Sequence, residues 1–297
     1  MAKIIAMKKY TSIILVLFLA FAANAQNTQP IRIIMLGAHP DDCDQGGGGT
    51  AILLTAMGYK VKFVAVTNGD AGHQSSGGGV LAKRRMQEAM EAGKRFGVEY
   101  EVLDNHDGEL LPSLHVRLQV IRKIREWNAD VVIAPRPNDY HPDHRYAGVL
   151  VQDAAYMVAV PNVAADTPPL KKNPVFLYFE DRFQKPNPFE PDIAIDISSV
   201  FDQKIFALEA HQSQFYEWLP WIGGYADEVP VDAAGKKQWL AKREAGVITP
   251  AIRQSLEKWY GKERAAQVKQ AETFEICEYG QRPSEDYIRK IFPMLKK

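Results

Sequence analysis

Ile31-Arg-Ile-Ile-Met-Leu-Gly-Ala-His-Pro-Asp-Asp42 is an apolar run that ends abruptly in a histidine and two carboxylates. Aliphatic and β-branched residues continue without polar alternation up to Gly37, the pattern of a strand buried on both faces of a parallel sheet. Pro40 stiffens the backbone on both sides, so His39, Asp41 and Asp42 stand on a fixed turn at the strand's carboxyl end, where open α/β sheets place their ligands. His39 and Asp42 are spaced as a plausible pair of metal ligands, which leaves Asp41 free. Taken alone, the same residues also read as an Asx-rich turn capping the next helix.

A second stretch decides between these readings. Residues 129–135 form another short buried strand running into Arg136-Pro-Asn-Asp-Tyr-His-Pro-Asp-His144, which repeats the His-Pro-Asp arrangement and adds a further histidine. These are the first and fourth strands along the chain. In a doubly wound sheet of order 3-2-1-4 they are neighbours at the topological switch point, so their loops face one crevice.

Working outward, strands alternate with helices long enough for right-handed parallel crossovers, which predicts a Rossmann-like, doubly wound, mostly parallel α/β sheet. Gly46-Gly-Gly-Gly49 precedes an apolar helical stretch ending at Gly58; no dinucleotide-type or Walker spacing accompanies it, so close packing is the preferred reading over phosphate binding. Strand 61–67 leads into Asn68-Gly-Asp-Ala-Gly72, putting Asp70 at the same sheet edge as His39, although turn formation alone explains it. Arg85 and Glu88 lie one turn apart on the helix of residues 81–96, ordinarily a solvated link. Asp107 follows the third strand. Further strands are read at 175–179 and 192–197, and a helix from Ser198 carries Lys204, His211 and Gln214. Residues 232–297 read as a charged helical extension packed on the α/β domain of residues 26–231, with Trp239, Trp259 and Phe274 as anchors.

The 297 residues are 46% hydrophobic and 24% charged with a formal net charge of +0, the profile of a folded globular chain with no electrostatic case for nucleic acid. Cys43 and Cys277 lack zinc-motif spacing, and they leave room for one disulfide in an oxidising compartment. Lys8 and Lys9, an apolar run over 13–23 and Ala23-Asn-Ala25 make residues 1–25 a secretory signal peptide, too short in its apolar core for a spanning helix. The expectation is an exported protein, periplasmic or secreted, with no membrane span in the mature chain.

His39, Asp42 and His144 offer two imidazoles and a carboxylate, the ligand set of a catalytic zinc with an open position. Asp41 is then the spare base for a water molecule. His141 stands across the substrate to protonate a leaving nitrogen or hold an oxyanion, with Asp143 as its orienting partner. This is equipment for hydrolysing an amide.

The chain resembles the PIG-L/LmbE-type zinc-dependent N-acetylglucosaminyl de-N-acetylases. The resemblance is carried by Ala38-His-Pro-Asp-Asp42, Thr67-Asn-Gly-Asp-Ala-Gly72, Arg85-x-x-Glu88, Asp107-Gly108, His141-Pro-Asp-His144, His211-Gln-Ser-Gln214 and Ala271-Glu-Thr-Phe274. It implies zinc on His39, Asp42 and His144, Asp41 as general base, and His141 as acid or oxyanion stabiliser. It implies contact of Arg85 and Asp107 with sugar hydroxyls, and makes Asp70, Tyr140 and His211 candidates for the substrate pocket. Where the family pattern has glycine before HPDH this chain has Tyr140, bulky enough to narrow an acyl pocket or to offer a phenol to the oxyanion. An exported member points to an envelope or environmental amino sugar or glycan. The competing expectations are a zinc amidase for another acyl or sugar conjugate, and a non-catalytic glycan-binding protein.

Overall fold

In a computed structural model, described over residues 29–295, the chain forms a seven-stranded sheet of order β3-β2-β1-β4-β5-β7-β6. The signal-peptide reading lies outside the described residues. The parallel part comprises β1 (Arg32–Gly37), β2 (Lys60–Ala65), β3 (Glu99–Val102), β4 (Val131–Ala134) and β5 (Val175–Phe179), with α1 (Asp42–Ala56), α2 (Gly78–Phe96), α3 (Leu114–Trp127) and α4 (Pro142–Met157) as crossovers. The expected order 3-2-1-4 is present, and the two His-Pro-Asp loops leave neighbouring strands.

Alternation along β1 sorts the core into two layers. Ile33 and Met35 share one buried cluster with Ile52, Leu54, Ala92 and Phe96 of α1 and α2, whereas Ile34 and Leu36 share the other with Ile121, Ile124, Leu150 and Ala154 of α3 and α4. Helices therefore cover both faces, as near-continuous apolar strands require.

The glycine run lies inside α1 and not ahead of it. A Cβ at Gly47 would come within 2.6 Å of the Met35 sulfur, and one at Gly48 within 2.5 Å of the Phe96 ring. Those glycines let the helix approach the sheet and neighbouring helix closely, which is the packing reading.

Beyond β6 (Ile193–Asp196) come α5 (Phe201–Leu208), a π-helical turn Ser213–Trp218, the short α6 (Leu219–Ile222), and then α7 (Ala233–Glu244), α8 (Pro250–Tyr260) and α9 (Lys262–Gln267). The expected helical extension is present, but it also supplies a ten-residue strand, β7 (Ala271–Gly280), inserted antiparallel between β5 and β6. Glu272, Glu275 and Glu278 recur every three residues and mimic a helix surface. In the strand, Glu272 is buried, where it accepts from Lys204 Nζ at 2.7 Å and from the Gly49 and Thr50 amides of α1 at 2.8 and 2.6 Å. The extension is thus tied to the helix whose first residue is Asp42. Trp259 and Phe274 are fully buried anchors, and α10 (Glu285–Ile291) leads to Phe292, which stacks on Phe274. Cys43 and Cys277 are both free and belong to different core layers, so the disulfide is not formed.

Candidate active site

The β1–α1 turn and the β4–α4 loop converge as their neighbouring strands dictate. His39 Nδ1 lies 3.1 Å from His144 Nε2, and the Asp42 carboxylate lies 3.4 Å from the latter and 3.8 Å from the former. The other nitrogen of each ring faces a carboxylate. His39 Nε2 is 3.0 Å from Asp107 and 3.3 Å from Asp143, and His144 Nδ1 is 3.1 Å from Asp139. A ring that donates its N–H to a carboxylate presents a lone pair at the opposite nitrogen, so two lone pairs and a carboxylate meet at one point. That arrangement fits a divalent metal with outer carboxylates orienting its histidines.

Electrostatics agree with the fit. Burial alone would lower the His39 imidazole, but hydrogen bonds to Asp107 and Asp143 and the charge of Asp42 push it up to about 10. Burial would likewise raise Asp107, yet the His39 hydrogen bond and charge and the Arg85 guanidinium hold its carboxyl down to about 2. By themselves these carboxylates hold a proton on His39, and a metal bound at Nδ1 would take that proton's place. His39, His141 and His144 form a second trio whose ligand atoms lie within 4.8 Å of one another. Asp42 is the stronger third candidate, because it brings negative charge and approaches both facing nitrogens.

Asp41 is buried beside this point, with its Oδ1 3.3 Å from Arg85 Nη2. Burial raises its carboxyl to about 6 against the lowering effect of Arg85. Arg85 is not the solvated partner of Glu88, a place taken by Arg84. It is buried, and it donates to Asp41, Asp107 and the carbonyls of Gly69 and Pro40, bracing the two carboxylates from behind.

Asp143 does not orient the His141 ring. Its carboxylate accepts from the amides of Gly108 at 2.7 Å and Leu110 at 3.2 Å and faces His39. It is the Asp143 backbone amide that meets His141, donating to Nδ1 at 3.2 Å as the cap of α4. Because His141 Nδ1 accepts, the proton of the neutral ring sits on Nε2. Burial, then the charges of His39 and His144, lower this imidazole, which favours a neutral Nε2–H donor over the expected imidazolium.

A cavity of about 380 Å³ opens over these groups, lined among others by Asp41, Arg85, Asp107, Tyr140 and His141. Asp70 and His211 do not line it. Asp70 holds the Asp107 amide at 3.0 Å and His106 at 2.7 Å, making it the brace of that turn. His211 is fully buried against Asp44 at 2.9 Å, and from its motif it is Gln214 that reaches the cavity, donating to the Gly72 carbonyl.

Two contributors escaped the sequence reading. Trp218 lines the cavity from the π-helical turn, a deviation that leaves no periodic signal. Asp139 was visible only as one loop aspartate among several. Asp139→Ala is expected to weaken metal binding about 10–100-fold, the usual worth of an outer carboxylate, in a competition titration against a coloured chelator.

Residues 34–155 match the family described as PIG-L: GlcNAc-PI de-N-acetylase. The chain is 33% identical over 220 residues to diacetylchitobiose deacetylase of Thermococcus kodakarensis, covering 69% of this chain and 79% of that one. It is 25% identical over 200 residues to 4-oxalmesaconate hydratase of Pseudomonas putida, covering 65% and 77%. Among solved structures, N,N'-diacetylchitobiose deacetylase of Pyrococcus horikoshii superposes with a TM-score of 0.62 at 25% identity, over 86% of this chain and 87% of that one.

Proposed function

Because the chain belongs to the PIG-L family of de-N-acetylases, we propose that it is a zinc-dependent hydrolase that removes the N-acetyl group from an N-acetylglucosamine-type sugar, glycan or glycoconjugate. The observation that carries the reading is the pair of imidazole nitrogens facing each other at 3.1 Å beside Asp42, with Asp41 left over as a base. His39, Asp42 and His144 would hold the ion. Zinc in that position supplies Lewis acidity that eases loss of a proton from water and polarises a carbonyl.

The protein's own groups account for the proton movements. Asp41, raised to about 6, accepts a proton from the attacking water at neutral pH. As the water oxygen bonds to the acetyl carbon, the carbonyl oxygen gains charge, and His141 Nε2–H is the donor available to it. When the C–N bond breaks, the amine takes up the proton that the water gave. Arg85 keeps Asp41 in position, and Asp107 and Tyr140 are the cavity groups we assign to the sugar and the acyl side.

The test is release of acetate and free amine in equal amounts from N-acetylated sugars, with and without chelator. Metal-loaded protein that releases neither, while hydrating an unsaturated tricarboxylate such as 4-oxalmesaconate, would move the chain to the hydratase branch of its relatives. The amidase and glycan-binding alternatives separate in the same assay, the first by another acid in place of acetate and the second by binding without release.

We also propose export, on the strength of the charged, apolar and Ala-x-Ala pattern of residues 1–25. Among the described residues no helix is long and apolar enough to cross a membrane. Amino-terminal sequencing of the protein from the periplasm or medium is expected to begin at Gln26; an intact amino terminus in the cytosolic fraction would contradict export.

A further inference from the structure

The cavity is at the small end of ligand pockets, with room for one amino-sugar residue and its acetyl group. What lies beyond it is aromatic. Trp218 lines the cavity, and the Trp221 ring stacks on it with centroids 5.5 Å apart and planes 19° apart. Trp221 is 51% exposed and its neighbour Ile222, which also lines the cavity, 59% exposed. Exposed apolar surface of this kind beside a polar site marks a binding surface.

The segment that carries these rings is anchored. Glu217, adjacent to Trp218, takes two hydrogen bonds from the Arg84 guanidinium at 2.7 and 2.6 Å and lies 2.9 Å from His73 Nε2. Ser213 donates twice to Glu88, and Gln214 donates to the Gly72 carbonyl. Trp218 therefore stands on an anchored π-helical turn and Trp221 on the short α6 that continues it, the two rings stacked on each other and Trp221 half open to water. A sugar ring offers a face of C–H groups with positive character, complementary to the negative face of an indole.

Resting on the de-N-acetylase reading, we infer that Trp218 and Trp221 form a stacking platform for the sugar residues next to the one in the cavity, so that the substrate is a glycan chain and not a free amino sugar. The patch is continuous with the catalytic cavity through Trp218 and Ile222, which is why a chain threaded through that cavity is the assigned occupant.

The experiment compares kcat/KM for acetate release from N-acetylglucosamine and from tetra-N-acetylchitotetraose in wild type, Trp221→Ala and Trp221→Tyr. Wild type is expected to favour the tetramer by about tenfold or more; Trp221→Ala collapses that ratio to near one through KM, and Trp221→Tyr restores most of it. A ratio that is the same in wild type and Trp221→Ala overturns the platform. Light scattering accompanies the series: a dimer dissociated by Trp221→Ala with the ratio retained would give the face to a second copy of the chain and overturn the inference. If neither sugar yields acetate, the de-N-acetylase reading fails on its own, and the platform is then decided by titrating tetramer into the Asp41→Asn protein. Calorimetric binding of the tetramer that Trp221→Ala weakens about tenfold or more supports the platform, and equal binding by the two proteins, or none, overturns it.

Discussion

His144→Ala is expected to lose metal and activity together. His144 Nε2 is one of the two nitrogens that meet at 3.1 Å, and its loss leaves a single imidazole and a carboxylate. The fall in kcat should exceed the about 10²–10⁴ that a positioned acid or base contributes, because water activation and carbonyl polarisation disappear at once. Elemental analysis after dialysis is the direct check. Full metal occupancy in this variant would remove His144 from the ligand set, and the trio containing His141 would not rescue the assignment, since it too needs His144.

The second large effect separates the base from the ligands. Asp41→Asn keeps nearly the same shape and can still accept the Arg85 hydrogen bond at its carbonyl oxygen, so fold and metal content should be retained. An amide cannot take the water's proton at neutral pH, and kcat is expected to fall by about two to four powers of ten. His141→Ala belongs beside it as the variant that removes the oxyanion donor: a loss of similar order, again with metal retained. Burial and the neighbouring charges of His39 and His144 lower the His141 imidazole, so a donor acting as the neutral ring should keep its contribution above the pH where an imidazolium would be lost, and a pH–rate series on wild type and His141→Ala reads that directly. Near wild-type turnover by metal-loaded Asp41→Asn would dismiss Asp41 as the base.

Much of this site was legible because its parts are local. The apolar strand, Pro40 and the two His-Pro-Asp segments are contiguous in sequence, and the doubly wound order that brings strands one and four together follows from general rules of chirality and connection. What the sequence could not convey is direction. Asp143 looked like the partner of His141 because it is two residues away, but at the start of α4 its carboxylate turns toward the Gly108 and Leu110 amides and His39. His211 and Asp70 carried motif weight, yet one is buried behind α1 and the other braces a turn. β7 was missed for a different reason: three glutamates at helical spacing hid a strand whose inward Glu272 is satisfied by Lys204, 68 positions away, and by the Gly49 and Thr50 amides, 223 and 222 positions away. Partners that distant leave no local trace.

The most direct test is a zinc titration of metal-free mature protein with acetate release as the readout, run beside Asp42→Ala. Activity rising linearly to a plateau at about one equivalent per chain, with no rise in Asp42→Ala, is the result expected of a single centre on His39, Asp42 and His144. Acetate release at full rate by the metal-free chain, or an undiminished titration in Asp42→Ala, would contradict it.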